Sequence, residues 1–207
     1  METSTIMRFS FIHAADLHID SPLAGLGLKD RAVAERFAHA GRRAVEALVS
    51  EAIDSKAAFL IIAGDVFDGD WRDVSTGLFF VRAIGALHRA GIPTVIVKGN
   101  HDFESGMSRS LPYPDSVKFF SSRKAETIAL DAHRVALHGR SFPTRLVLDN
   151  FVDPIRLAAR AGSISACCTL RWTERAAMTV TRRAPSMTCA GSAMTTGRWA
   201  MSMPRRS

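Results

Sequence analysis

Phe59-Leu60-Ile61-Ile62-Ala63-Gly64-Asp65-Val66-Phe67-Asp68 is a run of apolar residues that stops at a glycine and an aspartate. The run is too short for a helix and lacks polar alternation. It therefore reads as a strand buried on both faces, as in a parallel sheet covered by other layers. The same pattern occurs twice more. Phe9 to Ala15 is a buried-strand run ending at Asp16-Leu17-His18, and Thr94 to Val97 leads into Gly99-Asn100-His101-Asp102.

Helical patterns separate these runs. Residues 31–56 place Phe37, Gly41, Ala44/Val45, Leu48 and Ala52 on one stripe. Residues 74–90 form a second helix, stopped by Gly91 with Pro93 just beyond. Val117–Phe120, Thr127–Leu130 and Arg134–Leu137 read as shorter strands divided by turns. Strand and helix alternate through the first 145 residues, so the expected fold class is α/β. No internal repeat is present.

The chain has 207 residues, of which 47% are hydrophobic, enough for one domain with a good core. No apolar stretch approaches the ~18 residues of a membrane span, so no membrane partner is expected. Met1-Glu2-Thr3-Ser4-Thr5 lacks the basic start of a signal peptide, and the next apolar run is broken by His13 and Asp16. A cytoplasmic location is the expectation. Cys167, Cys168 and Cys189 all lie late in the chain, so the body uses no disulfide.

The formal charge of +7 suggests nucleic-acid binding until it is divided. Residues 1–160 hold 20 Lys and Arg against 19 Asp and Glu, whereas residues 161–207 hold seven Arg against Glu174 alone. The basic excess belongs to the tail and is a weak argument for a DNA-binding surface. In that tail the only large aliphatics are Ile164, Leu170 and Val180, with no Phe. So little apolar surface does not offset the entropy of ordering a chain. The expected division is residues 1–155 as the N-terminal part of a domain. Residues 156–207 are then an atypical Arg/Met/Ser/Thr-rich tail, disordered or out of frame.

The strand-end residues offer metal ligands. Asp16 and His18 are two apart, and on a regular strand such residues share a face, so a carboxylate and an imidazole can meet one ion. Asp65 follows a glycine that permits a tight turn, and its two oxygens can bridge two ions. Asn100 can give an amide oxygen to the second ion, while His101 can face a substrate. Two divalent ions ~3.5–4 Å apart activate a water and clamp a phosphate. Mixed Asp, His and Asn ligands suit Mn²⁺, Fe or Zn²⁺ better than Ca²⁺. His101 would then act as general acid or as a cationic donor to the phosphoryl group. Each string alone could be an ordinary capped turn or loop; the three in order, each ending an apolar strand, carry the reading. His13 is expected in the core or behind the ligands, His39 and His88 on helix surfaces, and His133 and His138 in structural roles. Asp68 and Asp102 are expected to orient loops and ligands.

With those residues in view, DLH, GDVFD and GNHD resemble the first three motifs of the calcineurin-like metallophosphoesterases. The fuller strings HAADLHIDSPL, LIIAGDVFD and VIVKGNHD, with the later VALHGRSF, are similar to the bacterial DNA repair exonuclease branch, relatives of the double-strand-break repair nuclease. The resemblance covers residues 7–152. It implies a two-sheet sandwich flanked by helices, two divalent metal ions, most often Mn²⁺, and phosphodiester hydrolysis on DNA with a partner ATPase. It further implies Asp16 and His18 on the first ion, Asp65 bridging, Asn100 on the second and His101 catalytic.

The family pattern continues with a histidine in Leu-His-Thr and two in Gly-His-x-His, yet no histidine follows His138. By that scheme the first ion is one protein ligand short and the second two short. The codons allowed by the tail suggest a reason for the gap. Reading from the third base of each codon into the next, Cys167-Cys168 forces Leu, Cys168-Thr169 gives His or Tyr, and Trp172-Thr173 forces Asp. Over Gly162–Thr173 this frame permits Phe-Asn-Ile-Gly-Val-Leu-His-Thr-Ala-Leu-Asp. Over Met194–Pro204 it permits Asp-Tyr-Trp-Ala-Leu-Gly-His-Val-His-Ala, with Gly forced by Trp199-Ala200. A frameshift near residues 153–161 would produce this tail.

The leading expectation is therefore a metal-dependent phosphodiesterase of the DNA exonuclease type with impaired activity. Rival expectations are an inactive, poorly folded remnant, and a metallophosphoesterase acting on nucleotides or phosphoproteins. A basic-tailed nucleic-acid-binding module is weaker, because Trp172 and Trp199 are the tail's only aromatics.

Overall fold

The computed structural model describes residues 9–21, 31–67, 74–99, 110–133, 135–144, 165–169, 177–182 and 196–201; for 31–38 and the last three stretches it describes backbone alone. The apolar runs form β1 (Phe9–Ala14), β2 (Leu60–Ala63) and β3 (Thr94–Val97), which pair in parallel with β2 in the middle. Parallel neighbours need a crossover, and α1 (Arg31–Asp54) and α2 (Val74–Arg89) lie between them in the chain. The short β4 (Val117–Phe119) adds to β3, again in parallel.

A second, antiparallel sheet starts from β5 (Glu126–Leu130) and β6 (Val135–Gly139). Three further strands come from the stretch that composition leaves without ordered structure. These are β7 (Ser165–Thr169), β8 (Ala177–Arg182) and β9 (Thr196–Met201). The sheet orders are β4-β3-β2-β1-β9 and β5-β6-β8-β7.

Alternation along the central strands divides the core in two. Ile12, Ala14, Leu60, Ile62 and Ile96 face the helices, where they meet Val45, Leu48, Val49 and Ala52 of α1 and Phe80, Ile84 and Leu87 of α2. Phe11, Phe59, Ile61, Val95 and Val97 face the second sheet, against Leu130, Val135 and Leu137. Both faces of the first sheet are thus covered, as its unbroken apolar runs require. Each large side chain so buried contributes about 1.5–3 kcal/mol of transfer free energy. The expected α/β class is what the chain forms, with helices and a second sheet about a sheet that is parallel except for β9, antiparallel to β1. Among the described residues no helix is long and apolar enough to cross a membrane.

Helix ends match their expected positions to within two residues, and hydrogen bonds show why. At the end of α2, Gly91 takes φ 73°, its N–H donates to His88 O, and Ile92 N–H reaches Leu87 O. This paired capping satisfies the last carbonyls. Lys56 plays the same part after α1 at φ 52°, with Ala57 N–H donating to Ala52 O, so α1 ends at Asp54.

His39 and His88 are exposed on their helices, as expected, and His133 packs against Phe9 and Phe59. His138 is buried, its Nδ1 2.7 Å from Thr127 Oγ1, and burial pushes its pKa below the ordinary 6.5; burial does the same to His13. An unfolded chain takes up these protons near pH 6.5 while the folded chain resists. Stability should therefore fall as pH drops below about 6.5, levelling off below the depressed folded-state values. Urea midpoints measured across that range should show the slope, and His138→Gln should flatten it.

Candidate metal centre

Because β1, β2 and β3 are parallel, their carboxyl ends share one edge, where open α/β sheets place ligand sites. Asp16 and His18 follow β1, Asp65 follows β2, and Gly99 follows β3. One ligand atom from each of Asp16, His18 and Asp65 lies within 4.8 Å of the others. Asp65 is only 1% exposed, while Asp16 and His18 are half-buried. Asn100 and His101, expected as second-ion ligand and catalytic group, lie outside the described residues, as do Asp68 and Asp102.

The route by which Asp16 and His18 converge corrects the strand-alternation argument. β1 ends at Ala14, and the two residues adopt left-handed φ of 53° and 40°. Asp20 at 55° and Asp65 at 50° do likewise, and Gly64 sits at 85°. Left-handed conformation costs an L-residue roughly 1–2 kcal/mol, and aspartate tolerates it better than most. Main-chain bonds hold the shape: Asp16 N–H donates to Gly64 O, His18 N–H to Asp65 O at 2.9 Å, and Ile19 N–H to Val66 O at 3.0 Å. The two loops thus continue the β1–β2 pairing beyond the strands, ending in a bridge between Ile19 and Phe67.

Gly99 closes the site from the β3 side. A Cβ there would lie 2.6 Å from Asp65 N and would also collide with Asp65 Oδ1. Only glycine permits this approach.

The sequence reading missed Asp20. Its carboxylate accepts bonds from Arg42 Nε at 3.0 Å to each oxygen, from Arg42 Nη2 at 2.5 Å, and from Thr76 Oγ1 at 2.6 Å. Arg42 belongs to α1 and lies over the Phe79 ring of α2, with its carbon Cζ 5.2 Å from the ring centroid. One carboxylate therefore ties the metal loop to both helices. The signal was present as Asp16, His18 and Asp20 at every second position, but nothing in the sequence pairs Asp20 with an arginine 22 residues away.

The donor set fits a transition metal: two carboxylates and an imidazole, one carboxylate fully buried. Oδ2 of Asp65 and Nδ1 of His18 are shut away from water and make no hydrogen bond of their own, although both residues are engaged through other contacts. An oxygen and a nitrogen so placed are suited to a cation.

Two outcomes follow from these contacts. Arg42→Ala, which frees the Asp20 carboxylate, should weaken Mn²⁺ binding about 10–100-fold by calorimetric titration. Arg42→Lys should recover only part, since an ammonium cannot reproduce the two-pronged grip. Gly99→Ala should lower stability by about 1–3 kcal/mol in urea melts. Gly85→Ala, whose Cβ would meet only the Arg89 side chain at 3.6 Å, should be neutral or stabilising.

Residues 9–160 match the family described as calcineurin-like phosphoesterase. Among curated proteins, the chain is 31% identical over 144 residues to the uncharacterized metallophosphoesterase YhaO of Bacillus subtilis, covering 68% of this chain and 35% of that protein. It is 26% identical over 152 residues to the DNA double-strand break repair protein Mre11 of Methanopyrus kandleri, covering 68% of this chain and 31% of that protein. The chain spans about a third of the length of these relatives. With a family match across most of its length and the metal cluster at the shared strand edge, the chain belongs to the calcineurin-like phosphoesterases.

Proposed function

We propose that this chain is a metal-dependent phosphodiester hydrolase of the DNA repair exonuclease branch, weakened by the loss of ligands beyond His138. The observation that carries the reading is the convergence of Asp16, His18 and Asp65 at the carboxyl ends of adjacent parallel strands. The DNA assignment is supported by the strings HAADLHIDSPL and VIVKGNHD and by the likeness to a protein named for double-strand break repair.

In this reading Asp16, His18 and Asp65 would hold a first cation, and Asp65 and Asn100 would serve a second, with Mn²⁺ the favoured ion. Two such cations, when bound, supply a nucleophilic water at neutral pH and stabilise charge on the phosphate. Asp65 is fully buried, and its carbonyl accepts from His18 N–H, which fixes the backbone that carries the carboxylate. Asp20 keeps the Asp16–His18 loop in its left-handed course. His101 provides a proton to the leaving oxygen. DNA is the substrate, a partner ATPase assists, and the protein works in the cytoplasm.

The tail is read as the out-of-frame product of the same gene. A second reading, an inactive remnant, is favoured by one observation: residues 139–207 hold no histidine. The test compares this chain with one whose frame is restored after residue 161, using bis-p-nitrophenyl phosphate and Mn²⁺. The restored chain should bind metal at least about 10–100-fold more tightly and hydrolyse faster, and Asp65→Ala should abolish its activity. Equal metal content and rate in the two chains would sink the tail reading. Hydrolysis indifferent to Mn²⁺ and to Asp65 would sink the hydrolase reading.

A further inference from the structure

A cleft of about 350 Å³ opens where the two sheets meet, beside the metal edge. Its walls come from the end of β3 at Lys98, the β4–β5 turn at Ser121 to Arg123, and the segment after β6 at Ser141 and Phe142. Lys98 directly precedes Gly99, the residue pressed against Asp65, so the cleft begins one residue from the candidate metal site.

Hydrogen bonds fix the cleft walls. Lys98 N–H donates to Ser141 Oγ at 3.0 Å, and that hydroxyl donates to Phe120 O at 2.7 Å. Phe142 N–H donates to Lys98 O, and Ser141 N–H to Ser121 O. Arg140 Nε donates to Ser122 O, and the Glu126 carboxylate accepts from Ser121 N–H. Three separate segments are thus tied together before any ligand arrives.

The lining combines a charged side with an apolar one formed by Phe119, Phe120 and Phe142. Lys98 and Arg123 contribute cations, and Ser121 and Ser122 bring hydroxyls. The Lys98 ammonium lies 5.1 Å from the centre of the Phe119 ring, which places that charge beside an apolar wall. The Glu126 carboxylate joins this network, with one oxygen accepting from Ser121 N–H, and is a negative charge that the two cations must outweigh. The volume exceeds what one phosphate fills and falls within the range of small-molecule sites. Residues 1–160 are nearly neutral overall, so attraction of a polyanion to the body must be local.

We propose that this cleft holds the phosphate of a nucleotide next to the scissile bond, on one polynucleotide strand. The proposal rests on the phosphodiesterase reading for its substrate. It adds a second point of grip that a substrate with a single phosphate cannot use.

The test measures binding of a fluorescent single-stranded oligonucleotide to the full chain by anisotropy. Metal is chelated, so hydrolysis plays no part. Lys98→Gln with Arg123→Gln should weaken binding roughly three- to tenfold and lower the slope of log affinity against log salt by about 0.7 per cation removed. Lys118→Gln, an exposed lysine of β4 outside the cleft, serves as control. Unchanged affinity and slope in the double variant would overturn the proposal. So would an equal loss in Lys118→Gln, which would mean diffuse attraction. Displacement by inorganic phosphate as effective, per phosphate, as by the oligonucleotide would overturn it too, since the cleft would then be a simple anion site. A melting curve matching the parent's confirms that the double variant is folded; were it unfolded, Arg123→Gln alone, at an exposed position, carries the same test with one slope unit of about 0.7. Failure of the parent protein to hydrolyse bis-p-nitrophenyl phosphate would count against the hydrolase reading alone and leave these slopes to decide the cleft.

Discussion

The close approach of the Gly99 backbone to Asp65 is the constraint on which the site depends. It brings the end of β3 against the end of β2, while Gly64 N–H, donating to Val97 O, holds the two in line. From the other side the Asp16–Ile19 loop is stitched to Gly64, Asp65 and Val66 by main-chain bonds. Three strand ends are thereby locked together by backbone contacts, and the ligand side chains inherit their positions. A site built this way has no room for an atom added at Gly99.

How much of this was legible in the chain depends on the physics involved. The layers were, because a strand covered on both faces must be almost wholly apolar, and Leu60–Ala63 and Val95–Val97 are apolar throughout. The residue types at the strand ends were legible too. Their geometry was not. Alternation along a strand is a property of extended backbone, whereas Asp16 and His18 sit in left-handed conformations that no periodicity announces. Asp20 escaped notice for a related reason. Its role arises from Arg42 and Thr76 on two helices brought together only by packing. The ending of α1 illustrates the same limit on a smaller scale, since Lys56 occupies a left-handed cap where glycine would have been the readable signal.

The strands beyond residue 161 bear on the architecture in a way that charge and hydropathy do not. β9 lies along β1, and β8 along β6. Without neighbours there, β1 and β6 would each present a row of unpaired main-chain groups, an invitation to pairing with another chain. β9 and β8 meet those groups with N–H and C=O of their own, a demand that weakly apolar sequence can satisfy.

The cluster of left-handed residues also carries a historical meaning. Asp16, His18 and Asp65 hold conformations in which glycine or asparagine would sit with less strain. Selection for stability alone would favour those replacements, because relief of about a kilocalorie per position is a sizeable share of a domain's marginal stability. A lineage long released from metal chemistry would be expected to have drifted towards them. The strained carboxylates and imidazole are in place at the strand ends, which is the pattern of residues kept for a ligand at a cost in stability.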